Sequence, residues 1–355
     1  MIKIRVLFIN NTQFGYMLDM DNYFEYLPSD YLIKVICLDQ KKKKKENKYK
    51  NLEVDYIFAN NKYIKLIKFM IKILLNIYSK KYDKIFIANF KGCFLIGILS
   101  YLKKNITLDI RTQSVNPIKK LRKLEDLDIR LATIFFRNIS IISHGCAKNL
   151  KIKKYSLLPL AGKKIVSQNL KNDFNILYIG TFEGRRLGDT IIGVIEFKKK
   201  YPEVKFKYRI IGDGKEKEEL KKLIKLYKAQ EYIELLGFLP YDESKKYFEV
   251  SKIGVSYIPI NDYYNYQPPT KTYEYIANGL FCLGTKTYAN MEVINNKNGI
   301  LCEDNSFSFF ESLEKIYLCN LRNILSLEER EKFTWKIVVK DYLIKNILKD
   351  KESEK

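Results

Sequence analysis

Short apolar runs alternate with longer amphipathic stretches along almost all of this 355-residue chain, and the series runs twice. Residues 4–9, 32–38, 54–57, 84–88, 106–110 and 139–143 read as buried strands, with helical stretches between most of them. That is the pattern of a parallel sheet covered on both faces. After a further strand at 155–158, residues 161–173 read as a polar linker, with Gly162, Ser167, Gln168 and two asparagines. A second series follows, with strands at 175–179, 206–211, 232–235 and 253–258 and helices at 189–200, 215–228 and 241–250. Single cores stop growing at roughly 250–300 residues, so a chain of this length divides. The expectation is an α/β protein of two Rossmann-like domains, 1–165 and 172–332, facing each other across a cleft. A last helix at 335–350 carries the only tryptophan, Trp335, near its start.

Charge separates the halves more sharply than composition does. Residues 1–165 hold 33 Lys and Arg against 13 Asp and Glu, whereas the remainder carries 31 against 28. A basic first half implies an anionic partner: nucleic acid, a membrane surface or a phosphorylated substrate. Two helices there set apolar residues beside lysines. Residues 63–79 carry Ile64, Ile67, Ile71, Leu74 and Tyr78 on one stripe, with Lys62, Lys65, Lys68 and Lys72 on another. Residues 119–136 carry Leu121, Leu124, Leu127, Leu131 and Phe135, with Lys119, Arg122, Lys123 and Arg130 elsewhere. This is the pattern of a membrane-surface helix, or of a core-packed helix with a lysine-rich exterior. Lys41 to Lys45 form a bare lysine run that reads as a solvated loop. Six scattered cysteines without close pairs read as reduced core residues. With no leader pattern and no apolar run of the ~18–20 residues a spanning helix needs, the expected location is cytoplasmic, peripheral on the inner face of the cell membrane.

The chemistry concentrates at strand ends in the second half. Gly180 to Gly184 form a glycine loop after a strand, followed by Arg185 and Arg186. Arginine binds phosphate bidentately and keeps its charge, and a diphosphate sits well at such a loop. Gly212, Asp213 and Gly214 make a second strand-to-helix turn, open to close ligand approach. The stretch from Gln267 to Gly279 reads as a rigid Pro-Pro entry, an N-cap at Thr270, a short helix and a glycine stop. A helix N-terminus attracts anions, and Lys271 in its first turn adds a cation where the dipole disfavours one. In the first half, Gly15 lies in the polar loop after the first strand. His144, the sole histidine, precedes a glycine at a strand end, as a catalytic or acceptor contact or as a structural turn residue.

Several motifs of the second half resemble glycosyltransferase family four in order and spacing. They are Gly212-Asp213-Gly214 with Glu218, Glu219 and Leu220; Leu236 to Pro240; Pro269 with Glu274 to Gly279; and Asn298 to Leu301. The resemblance covers most of 175–318, and Phe333-Thr334-Trp335 is similar to the segment that opens the family's final helix. It implies the GT-B fold, a last helix crossing back to the first domain, and retaining transfer from a nucleotide sugar, UDP- or GDP-linked. The resemblance implies that Glu274 accepts hydrogen bonds from the ribose and that Arg186, with Arg185 as the alternative, holds the diphosphate beside Lys271. It also implies that Gly180, Gly212 and Asp213 line the nucleotide site, and that Phe238 and Leu239 contact the base.

Where the family has a second acid, eight positions before the glutamate, this chain has Tyr266, which leaves Gln267, Pro269 and Thr270 beside the donor sugar. Asp109 and Arg111 stand at the strand end where relatives have a His-Asp turn, on the acceptor side with Gly15 and His144. Neither a cofactor nor a metal is expected, although Asp19/Asp21 and Asp126/Asp128 match the Asp-x-Asp pattern of metal-dependent transferases. The expected partners are the donor, a lipid-linked or surface-glycan acceptor and an anionic membrane, with no nucleic acid. A nucleotide-sugar epimerase of the same fold is the alternative, and a basic nucleic-acid-binding protein, without a reading motif, is the weaker one.

Overall fold

A computed structural model gives the structure over residues 3–165 and 174–349. Residues 166–173 of the expected linker, and Asp350 of the expected last helix, lie outside the described residues. The chain divides into two compact units, residues 1–159 with 335–355, and residues 160–334. Residues 160–165, expected at the end of the first domain, therefore pack in the second unit. Gly162 donates its amide to the Phe333 carbonyl at 2.8 Å there.

The first unit opens with β1 (Ile4–Asn10), α1 (Leu18–Tyr26), β2 (Tyr31–Leu38) and β3 (Leu52–Ile57). It continues through α2 (Lys62–Tyr78), β4 (Lys84–Ala88), α3 (Phe94–Leu99) and β5 (Ile106–Ile110). It then runs through α4 (Lys119–Phe135), β6 (Asn138–Ile141), α5 (His144–Leu150) and β7 (Ser156–Leu157). The seven strands lie parallel in the order β3-β2-β1-β4-β5-β6-β7. Val6 to Ile9 are completely buried, so β1 reads as an unbroken apolar run instead of an alternation.

α2 turns Phe69, Ile73 and Ile77 inward and leaves Ile64, Ile67 and Ile71 outside. α4 buries Arg122, Ile129 and Ala132, and it exposes Leu121, Leu124 and Leu127. Both helices pack on the core, but through residues other than the expected stripes, which are mostly exposed, with Leu74 and Phe135 half-buried. The lysine run is an exposed loop, as expected, and it is tied to the Gly15 loop through its backbone carbonyls. Buried Gln13 donates from Nε2 to the Lys42 carbonyl at 2.9 Å, and Tyr16 donates from its hydroxyl to the Lys43 carbonyl at 2.9 Å.

The second unit contains β8 (Ile176–Ile179), α6 (Leu187–Lys200), β9 (Tyr208–Ile211), α7 (Lys217–Leu226) and β10 (Ile233–Gly237). Next come α8 (Tyr241–Glu249), β11 (Ile253–Ser256), α9 (Thr270–Ala277), β12 (Phe281–Thr285) and α10 (Tyr288–Met291). β13 (Gly299–Cys302), α11 (Ser306–Leu318) and α12 (Leu327–Glu331) complete it. Its parallel sheet runs β10-β9-β8-β11-β12-β13. The strand order reverses at β8/β11, the place where open α/β sheets take ligands at the strands' carboxyl ends. α13 (Trp335–Ile337) then runs into a π-helical turn series at Val338–Leu348, and both belong to the first unit. Trp335 is buried there, edge-on to Tyr23 at 5.7 Å.

Candidate functional site

Four close fits along its length fix α9 (Thr270–Ala277). The Tyr275 ring covers Gly254 of β11 so tightly that a Cβ at Gly254 would lie 2.3 Å from it. The Tyr275 hydroxyl accepts the Ile179 amide at 2.9 Å. Thr272 shares a hydroxyl contact with Ser256 at 2.7 Å and donates to Asn290 Oδ1 at 3.1 Å. Gly162 passes α9 where its Cβ would meet Glu274 Cα at 2.6 Å. At the far end Gly279, with φ +81, closes the helix, and Leu280 donates its amide to the Tyr275 carbonyl at 3.0 Å.

One detail of the expected cap changes. Pro269 is the N-cap, Thr270 is already helical, and no side chain caps this end. A cap residue needs extended backbone angles. Pro269 supplies them at φ −85 and ψ 128, which leaves Thr270 free to take helical ones.

This anchoring aims Lys271 at the loop after β8. Its ammonium sits 3.7 Å from the centre of the Tyr178 ring, and a Cβ on Gly180 would lie 3.1 Å from Nζ. Nζ is buried without a hydrogen-bond partner. Desolvation holds its pKa well below the usual lysine value, and Arg185 pushes it down further. Arg185 lies over the Tyr264 ring at 4.4 Å, and its Nε is also buried without a partner. Arg186 differs from its neighbour: it is exposed and ion-paired to Asp189 at 2.8 Å and to Asp304 at 3.1 Å. Of the two arginines, Arg185 is the one that joins Lys271.

Glu274 lies one turn beyond Lys271. Burial raises its carboxyl to about 7, against the opposing pull of Lys271 and Lys163. Both shifts favour uncharged forms, because desolvation outweighs the opposite charge each group has nearby.

The two glycine turns touch through their backbones. A Cβ on Gly212 would fall 1.8 Å from the Gly180 carbonyl oxygen, and Phe182 donates its amide to the Asp213 carbonyl at 3.0 Å. Asp213 is exposed; its carboxylate accepts from the Gly214 amide and from Lys217, which lower its pKa. Phe238 is 73% exposed beyond β10, with Leu239 half-buried beside it. Tyr266 packs on Tyr288 at 5.1 Å, and Gln267 donates its amide to the Tyr264 carbonyl at 3.0 Å. Sequence reasoning places Tyr178 only in a strand and Gly162 only in the linker, and it singles out neither Tyr264 nor Lys163. Only the glycine turn preceding Arg185 hinted at a partner for its guanidinium, and nothing local marked the other contacts.

Of the four first-unit residues, Asp109 and Arg111 lie together, Arg111 Nε standing 3.8 Å from Asp109 Oδ2. Asp109 is completely buried and accepts from Ser140 Oγ at 2.6 Å; burial raises its carboxyl to about 6 against the pull of Arg111. Arg111 donates to Asp19 at 2.8 Å and to the Leu158 carbonyl at 2.6 Å. His144 begins α5 and pairs through Nδ1 with the Tyr155 hydroxyl at 2.8 Å. Gly15, at φ +83, lies under the Lys45 side chain. Of the Asp-x-Asp pairs, Asp19 is engaged by Arg111, Asp126 accepts the Ser114 amide and Asp128 the Gly92 amide.

Residues 163–334 match the family model for glycosyl transferases group 1. A 69-residue stretch, 19% of this chain, is 39% identical to an alpha-monoglucosyldiacylglycerol synthase of Acholeplasma laidlawii, and spans only 17% of that relative. A lipopolysaccharide outer core galactosyltransferase in its apo form aligns at TM-score 0.71 and 13% identity over 96% of this chain and 99% of that one. An Anabaena protein solved with UDP and glucose aligns at TM-score 0.65 and 12% identity over 96% and 98%. Two parallel sheets of seven and six strands, matched over nearly the full length, make this the GT-B fold.

Proposed function

Because residues 163–334 match the family model for glycosyl transferases group 1, we propose that the chain transfers a sugar from a UDP- or GDP-sugar to a lipid-linked or surface-glycan acceptor. The observation that carries this reading is the buried, unpartnered Lys271 ammonium beside Gly180 and Arg185 at the carboxyl end of β8. A diphosphate there supplies the counter-charge that both cations lack. As the glycosyl–phosphate bond breaks, charge builds on the leaving diphosphate, and fixed cations stabilise it without reorganising. Arg185 rather than Arg186 takes the second phosphate contact, since Arg186 is already paired with two carboxylates.

Glu274 accepts the ribose hydroxyls, and Phe238 with Leu239 meets the base. Gly180, Gly212 and Asp213 shape the phosphate end. Tyr266, Gln267, Pro269 and Thr270 face the donor sugar. The acceptor falls to the first unit, with Asp109, Arg111, His144 and Gly15 on its side. Transfer proceeds with retention and without a metal, the leaving phosphate deprotonating the acceptor. The similarity to a glucosyldiacylglycerol synthase and the basic first half support a lipid-linked acceptor and a peripheral position at the inner membrane face.

Thermal-shift screening with UDP, GDP, ADP and short oligonucleotides tests the reading. One nucleoside diphosphate should stabilise the protein. The response should disappear in Glu274→Ala and weaken in Lys271→Ala. Stabilisation by oligonucleotides with no response to any diphosphate would sink the proposal. Retained sugar-nucleotide binding with interconversion of donor epimers would favour the epimerase.

A further inference from the structure

The order β3-β2-β1-β4-β5-β6 carries the chain the same way across the sheet at the crossovers through α2, α3 and α4. Right-handed crossovers then place all three helices on one face. α3 packs against both α2 and α4, while α1 packs against α13.

The outer surface of this helical layer is apolar. On α2, Ile64, Ile67, Ile71 and Leu75 are exposed, Ile67 at 58% and Leu75 at 64%. On α3, Leu95, Ile98 and Leu99 are exposed, and the turn after it presents Leu102 at 82%. On α4, Leu121, Leu124, Leu127 and Ile134 are exposed. Scattered exposed leucines need no explanation, but a continuous layer across three neighbouring helices does.

Charge identifies what covers this layer. α2 contains no acid, and Lys62, Lys65 and Lys68 lie among its exposed isoleucines. The three acids of α4 are engaged elsewhere: Glu125 and Asp126 accept from Ser114, and Asp128 from the Gly92 amide. Arg137, just after α4, lies over the Tyr101 ring at 5.4 Å and borders a cavity of about 790 Å³. That cavity is also lined by Lys84, Lys104, Lys153, Lys154 and Lys349, with no carboxylate among its lining residues. An apolar surface rimmed by cations suits an anionic bilayer. A second copy of the chain suits it badly, since pairing two such faces brings their lysines together.

We propose that the first unit docks on an anionic bilayer by entering it with the exposed apolar side chains of α2, α3, the Leu102 turn and α4. This rests on the membrane part of the proposed function and sharpens it: lysines bring the protein to the surface, and apolar insertion holds it. Electrostatic attachment alone would dissolve at high salt. Insertion would not.

The test is flotation of the full chain with phosphatidylcholine vesicles, with and without phosphatidylglycerol, at low and then high salt. Capture should require the anionic lipid, and protein once captured should stay bound when the salt is raised. Ile67→Asp with Ile71→Asp, and separately Leu102→Asp with Leu124→Asp, should each lower capture about tenfold or more. All four side chains are exposed, so the variants should fold; their melting temperatures and their response to nucleoside diphosphate check this. Variants that float like the parent, or parent protein released completely by salt, would overturn the proposal. So would a concentration-dependent dimer that the aspartates dissociate. The diphosphate response is read in the second unit, so failure of docking and failure of the glycosyltransferase reading are told apart.

Discussion

The Lys271 ammonium lies 3.7 Å from the centre of the Tyr178 ring, where a Cβ on Gly180 would stand 3.1 Å from it. A lysine is thus held against an aromatic face at a strand end, without a hydrogen-bond partner. Holding a desolvated ammonium without a hydrogen-bond partner costs stability in the free protein.

Lys271→Met should therefore stabilise the ligand-free protein while weakening its response to nucleoside diphosphates. Replacing a desolvated cation that no hydrogen bond satisfies with a thioether of similar length should add about 1 kcal/mol, at the low end because the lysine stem is partly exposed. Urea unfolding with and without diphosphate measures both effects. A destabilised variant that still binds would show that Lys271 has another role.

Binding should also take up a proton. Desolvation and Arg185 depress Lys271 in the free protein, and a bound diphosphate restores its charged form. Calorimetric titration in pairs of buffers of different ionisation enthalpy should show net uptake at pH values where an ordinary lysine is still charged, and Lys271→Met should abolish it.

Stability should fall as pH rises toward neutrality. The Glu274 carboxyl, raised from 4.5 to about 7, binds a proton in the folded state over a range where the unfolded chain has already released it. Its favourable effect is complete below the unfolded value and lost as pH passes through about 7. Asp109, raised to about 6, acts in the same direction over a lower window. Glu274→Gln should flatten the decline between about pH 5 and pH 8 by on the order of 2 kcal/mol, less than the full shift implies because the residue is partly exposed. Melting curves across that range check it.

Gly212→Ala should be the harshest single-methyl change in the second unit. Its Cβ would lie 1.8 Å from a backbone oxygen, at a φ of +148 that side chains rarely adopt. The cost should be about 3 kcal/mol or more. Gly180→Ala, whose Cβ meets the tip of a flexible lysine, should cost about 1–2 kcal/mol and act mainly on diphosphate binding. Comparing the two urea midpoints separates backbone collision from side-chain displacement.

Trp335→Ala should destabilise the first unit, although the residue follows the whole second unit in sequence. Trp335 is buried against Tyr23, so its loss should cost about 3–5 kcal/mol. Urea unfolding followed by circular dichroism measures it.

Sequence alone determined the alternation of strand and helix and the two-sheet α/β architecture, because burying a strand on both faces demands an unbroken apolar run, as at Val6 to Ile9. It also showed where the glycine turns fall and that Lys271 opens a helix, since these depend on neighbouring residues. Tertiary structure alone decided that Arg185, not Arg186, stands beside Lys271, because adjacent residues in a turn point different ways. It alone brought Tyr178 and Gly162 to α9, from positions far away in sequence. It decided, too, which way α2 and α4 face. Periodicity reveals that Ile64, Ile67 and Ile71 share a stripe, but α2 carries a second apolar stripe at Phe69, Ile73 and Ile77, and only docking on the sheet selects which one is buried.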